Sequence, residues 1–156
     1  MPVDVTIVTA PATPTAVVAQ ATSWEEFHRL WSKLLDEVWR FVRGSELSPG
    51  RNVMVYKDDV PNVEVGVEVG GSFVPHGRVV PSTLPAGPAA KAISRGAPSP
   101  EGIATAHKAV VDWCATNGHE LSGVRWEVYD HWRDDDPDGF ETEVYWLLSA
   151  TRSSAS

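Results

Sequence analysis

The order strand, helix, strand, strand occurs twice in this chain, over residues 15–69 and again over 86–148. In the first copy, Thr15–Thr22 is β-prone through Val17 and Val18. Ser23 and Glu26 have the spacing of a capping box, and Trp24, Phe27, Leu30, Trp31, Leu34, Leu35, Val38, Trp39 and Val42 follow at helical steps until Gly44. Asn52–Lys57 and Val63–Val69 then read as strands, the second alternating valine with Glu64, Gly66 and Glu68. In the second copy, Ala86–Ser94 is extended. Ser99 caps a helix with Pro100 at its first position, and Ile103, Ala106, His107, Val110, Val111 and Cys114 form its stripe until Asn117-Gly118. Arg125–Asp130 and Glu141–Leu148 complete the pattern. Val55-Tyr56 matches Val128-Tyr129, and Glu64-Val65 matches Glu143-Val144, with six residues inserted in the second copy between tyrosine and glutamate.

A duplicated unit of this kind predicts an α+β fold of two pseudo-symmetric βαββ modules. Their strands join into one antiparallel sheet, with two long helices on one face and a ligand cleft on the other. The expected organisation is a single domain: module one at about 1–69, a Gly- and Pro-rich linker at about 70–85, module two at about 86–148, and a frayed tail at 149–156. Val3–Val8 adds a short strand ahead of the first module.

Charge narrows the function. The chain has 13 Lys+Arg against 21 Asp+Glu, a net charge of −8, which disfavours direct nucleic-acid binding. Residues 127–143 hold eight acidic side chains and one arginine, so nearly all of this excess is local. No stretch has the length of a membrane span, and no signal peptide is visible. The lone Cys114 fits a reducing compartment, so a cytoplasmic location is expected.

Strand alternation then sorts side chains between the two sheet faces. Val53, Val55, Val124, Trp126 and Val128 are expected to meet the helices. Met54, Tyr56, Glu127, Tyr129 and Tyr145 are expected on the free face. A carboxylate among aromatic rings and a soft thioether suits a flat organic ligand, above all a cation. Of the seven tryptophans, Trp24, Trp31, Trp39 and Trp113 are expected to serve helix packing, leaving Trp132 and Trp146 for the ligand side.

Rival chemistries fit less well. Asp134–Gly139 resembles the start of a calcium loop, but its twelfth position is Tyr145, and the segment joins strands. The five histidines lack zinc-ligand spacing, so neither a metal nor another cofactor is expected. His107 lies on a helical stripe and reads as a core or boundary residue. Cys114 reads as a buried thiol with no activating base.

The stretch Leu84–Leu148 resembles the GyrI-like small-molecule-binding domain, the effector-binding module of AraC-type and MerR-type bacterial regulators. The matching residues are Leu84-Pro85-Ala86-Gly87, Arg95-Gly96, Trp113–Leu121, Glu127-Val128-Tyr129 and Thr142–Leu148. The first half fits more loosely, through its strand order and Val63–Val67. The resemblance implies a ligand site between the modules. Glu127 of the E-x-Y motif would lie there, with Tyr129 and Tyr145 as aromatic neighbours. The chain departs from the family pattern at Ala97–Pro100, where an aromatic is common, and in its long acidic insertion. With no room for a helix-turn-helix, a stand-alone multidrug or effector binder is expected. One alternative that the resemblance implies is a hydrolase opening cyclopropanoid DNA-alkylating compounds, with Glu127 positioning water and Tyr145 stabilising the departing oxygen. A protein-interaction module is the other.

Overall fold

A computed structural model describes residues 3–130, 135 and 139–149. It contains β1 (Thr6–Ala10), β2 (Pro14–Ala21), α1 (Trp24–Arg43), β3 (Ser48–Tyr56), β4 (Asn62–Gly70), β5 (Val79–Thr83), β6 (Gly87–Arg95), α2 (Pro100–Thr116), β7 (Leu121–Tyr129) and β8 (Glu141–Leu148). Both helices start as their caps dictate. The Ser23 hydroxyl accepts the Glu26 N–H at 3.1 Å, and that of Ser99 accepts the Gly102 N–H at 3.0 Å. Among the described residues no helix is long and apolar enough to cross a membrane.

The eight strands form one antiparallel sheet in the order β1-β6-β8-β7-β3-β4-β2-β5. At its centre Met54 of β3 stands opposite Glu127 of β7. A pseudo-twofold through that pair exchanges β3 with β7, β4 with β8, β2 with β6 and the edge strands β5 and β1. The same rotation carries Tyr56 onto Tyr129 and Glu64 onto Glu143, the matches read from the sequence. Each edge strand leads into one module but pairs with the other: β1 precedes β2 and pairs with β6, while β5 precedes β6 and pairs with β2. The 70–85 segment thus contains a strand that interlocks the halves.

The helices cover the opposite face from the one expected. Phe27, Leu34, Val38 and Val42 of α1 pack in one core with Met54, Tyr56, Val65 and Val67. Ala106, Val110 and Cys114 of α2 pack on Ala90, Ala92 and Val144. Val53, Val55, Trp126 and Val128 form a separate core on the far face with Ala10, Leu84 and Ala89. The chain crossings between edge strands and modules explain the difference. Ala10 and Leu84 lie on those crossings, where the Leu84 N–H donates to the Thr13 carbonyl at 2.9 Å. The face expected to meet the helices is therefore filled by the crossing chain. The cleft opens instead on the helix side, where α1 and α2 sit on separate modules and leave the middle of the sheet uncovered.

Candidate functional site

The gap between the helices is a cleft of about 830 Å³, within the size range of small-molecule pockets. Its floor is the centre of the sheet: Met54 and Tyr56 of β3, Arg125, Glu127 and Tyr129 of β7, and Trp146 of β8. One wall is α1, through Trp24, Phe27, Trp31, Leu35 and Trp39; the other is α2, through Ile103, Ala104 and His107.

Glu127 lies at the centre and is only 4% exposed. Its Oε1 accepts the Tyr56 hydroxyl at 2.9 Å and the Tyr129 hydroxyl at 2.5 Å. These donors are twofold mates closing on one oxygen, and the Met54 sulfur lies within 3.8 and 4.0 Å of their hydroxyls. Oε2 meets His107 Nε2 at 2.7 Å. The Trp146 indole N–H, which can only donate, reaches His107 Nδ1 at 3.0 Å. Nδ1 must therefore accept, and the proton of a neutral ring lies on Nε2, facing the carboxylate. All three neighbours donate to Glu127, which suits an acceptor-only carboxylate, and no arginine or lysine is bonded to it among the described residues. The floor thus presents this carboxylate two residues from the Arg125 guanidinium.

Burial pushes the hydroxyl pKa of both Tyr56 and Tyr129 well above the usual value for tyrosine, and the neighbouring Glu127 charge adds to the effect. Tyr145 is raised too, chiefly by burial and then by its hydrogen bond to Glu143. These are the chain's three tyrosines. Absorbance titration of the native protein near 295 nm is therefore expected to show no tyrosinate at pH 10–11, where the urea-unfolded chain ionises normally. Because the raised values favour the protonated folded state, their contribution to stability is complete below the unfolded value near 10 and declines as pH rises above it. A native titration matching the unfolded one would contradict this.

Of the residues expected in the site, Met54, Tyr56, Glu127 and Tyr129 converge, and Trp146 joins them. Tyr145 does not. It pairs with Trp126, and direct cross-strand partners share a face, so it belongs to the far side of the sheet. There it stacks on Trp126 at 5.0 Å and donates to Glu143 at 2.6 Å. Trp132 and most of the acidic loop lie outside the described residues. Two contributors run against the sequence reading. His107 turns from its helical stripe into the cleft, and Trp24, Trp31 and Trp39 line it, with Trp39 also packed against the α1 core. The breadth of the α1 stripe carries the signal. At about 100° per residue, its nine apolar positions sweep about 180°, more than packing on a sheet requires. The core residues Phe27, Leu34 and Val38 occupy one side of that arc and the tryptophans the other.

A model of the GyrI-like small molecule binding domain matches residues 3–149, nearly the whole chain. The chain belongs to the GyrI-like family. Solved structures agree in fold. The C-terminal domain of EcmrR superposes with a TM-score of 0.78 at 18% identity, covering 97% of this chain and 100% of that one. SAV2435 bound to tetraphenylphosphonium gives a TM-score of 0.62 at 8% identity, with 96% of each chain covered. A hydrolase from Listeria innocua gives 0.53 at 13% identity, covering 93% of this chain and 91% of that one. A comparison with curated proteins finds no match. Within the GyrI-like fold, this chain's cleft is centred on Glu127, bonded to two twofold-related tyrosines and to His107.

Proposed function

We propose that this GyrI-like domain binds bulky, flat, apolar or cationic organic molecules in the cleft between α1 and α2, as an effector sensor or a sequestering protein. The observation that carries the reading is the buried Glu127 carboxylate, held by three neutral donors inside aromatic walls. Such a charge exerts its field through a medium less polar than water. The indole and phenol faces attract cations through their quadrupoles and stack on flat rings. A diffuse organic cation suits this site better than a primary ammonium. It gives up little hydration on entry and needs no hydrogen bond from a carboxylate already engaged on both oxygens. The tetraphenylphosphonium complex of SAV2435, which shares the fold, supports this ligand class.

Trp24, Trp31, Trp39 and Trp146 line the cleft, so binding has an intrinsic reporter. Titration with tetraphenylphosphonium is expected to change tryptophan emission saturably, with a matching heat by calorimetry. No saturable change by either measurement would overturn the reading.

A second reading draws on the same convergence of groups. Glu127 would position and deprotonate water for attack on a strained cyclopropanoid ring: a C–O bond forms as a ring C–C bond breaks, and the Tyr56 or Tyr129 hydroxyl donates a hydrogen bond to the conjugated carbonyl oxygen that takes up the electron pair. The tyrosine of that reading cannot be Tyr145, which lies across the sheet. Incubation with a cyclopropanoid electrophile followed by mass spectrometry separates the readings, since a binder returns the compound unchanged and a hydrolase adds water to it.

A further inference from the structure

The cleft already contains a planar cation. Arg125 shares the strand face of Glu127 two residues away and is 8% exposed. Its guanidinium carbon lies 5.3 Å from the centre of the Trp24 ring and 4.9 Å from that of Trp146. This aromatic slot is the kind of place a flat organic cation would occupy. The guanidinium also makes polar contacts: Nη1 donates to the Gly123 carbonyl at 2.9 Å, and Nη2 lies 2.9 Å from Asp59 Oδ1.

The two sides of the slot differ in how firmly they are fixed. Trp146 is tied through its indole N–H to His107, and through His107 to Glu127. Trp24 is the first residue of α1, is 42% exposed, and touches Tyr56 ring to ring at 5.4 Å. Asp59 belongs to the turn between β3 and β4, and its side chain is 89% exposed. An ion pair that open to water holds its partner weakly. The arginine is thus stacked inside, with its counter-ion outside at the cleft's end.

We propose that Arg125 is a resident cation that a ligand displaces: an incoming organic cation takes the Trp24–Trp146 slot and drives the guanidinium outward toward Asp59 and solvent. In the empty cleft the arginine offsets the Glu127 charge and keeps the two indoles apart. On binding, the displacement moves the first turn of α1 and the β3–β4 turn, so occupancy of a buried site is reported at the surface. The inference rests on the cation-binding reading above and assigns Arg125 the part of a specificity-determining gate.

The test compares wild type with Arg125→Met and Arg125→Lys, titrated with tetraphenylphosphonium and with neutral triphenylphosphine oxide. Arg125→Met is expected to bind the phosphonium about tenfold more tightly than wild type, and to gain less for the neutral oxide. Arg125→Lys, which keeps the charge, is expected to stay within about threefold of wild type. Should the methionine variant fail to fold by thermal melting, Arg125→Gln removes the charge while retaining a planar group and replaces it. In wild type, the Arg125 Nε–H resonance should carry a ring-current shift that disappears at phosphonium saturation. The gate is overturned if wild type binds the phosphonium and neither uncharged variant gains, if the lysine variant gains as much as they do, or if the ring-current shift survives saturation. Binding by an uncharged variant alone also overturns it, because the wild-type arginine then blocks the slot and is not displaced. If no variant and no wild-type protein binds the phosphonium, both the gate and the cation-binding reading fall.

Discussion

Glu127→Gln is expected to weaken tetraphenylphosphonium binding roughly 30- to 150-fold, while triphenylphosphine oxide affinity stays within about threefold of wild type. The size follows from the charge. A carboxylate several ångströms from a cation, at an effective dielectric constant near 20, contributes about 2–3 kcal/mol. Glutamine keeps the side chain's shape but removes this term for the charged probe alone. It also carries a structural cost. All three neighbours, Tyr56, Tyr129 and His107, donate to Glu127, and the new amide adds donors where only acceptors fit. A donor facing a donor in a buried site costs about 1–3 kcal/mol, so a lowered melting temperature should accompany the binding loss. The neutral probe separates the two effects, because a distorted cleft would weaken both ligands alike. Equal phosphonium affinity in variant and wild type would remove Glu127 from the binding mechanism.

Much of the fold could be read from the sequence because its signals are local. Ser23, Ser99 and Pro100 mark helix starts through chemistry that acts within one turn, and alternating valines mark β4 without reference to any partner. The repeat was also legible, since Tyr56 and Tyr129, and Glu64 and Glu143, keep corresponding places. What could not be read was which face the helices choose. Both faces of β7 carry large side chains, Trp126 and Val128 on one and Glu127 and Tyr129 on the other. Hydrophobicity favoured the Trp126 face for the helices. That choice depends on where β1 and β5 cross, and their partners lie in the opposite modules. The error over Tyr145 has the same origin. Its face follows from its register against β7, and that register is fixed across a loop whose length does not determine it. The tryptophans of α1 were misassigned for a related reason. A helix stripe records apolar surroundings, but a close-packed core and the wall of an apolar cleft impose the same composition.

The largest effect on stability is expected at Gly66. It stands in the middle of β4, opposite Val17 of β2 and Val53 of β3, where a side chain would point to the sheet face away from the helices. A Cβ at this position would lie 1.8 Å from the Ala16 carbonyl oxygen, and 2.8 Å from both the Ala16 carbonyl carbon and the Val17 Cα. These are backbone atoms, so no rotamer change relieves the clash, and β2 itself must move. That strand is poorly placed to do so. Ala16, Val17 and Val18 are fully buried, and β2 is hydrogen-bonded on both sides, to β4 and β5. The pseudo-twofold places Tyr145 at the corresponding point of β8, so one half of the sheet accommodates a large ring where the other admits no methyl group. Gly66→Ala is accordingly expected to cost about 3–5 kcal/mol, a large fraction of the 5–15 kcal/mol typical of a domain. Gly70, at the end of the same strand, is the control. A Cβ there would make only an ordinary 3.6 Å contact with Ser48, so Gly70→Ala should unfold in urea near the wild-type midpoint. Urea denaturation of both variants decides the matter: a Gly66→Ala midpoint as high as that of Gly70→Ala would mean that β2 yields at little cost, contrary to the close approach of the two strands.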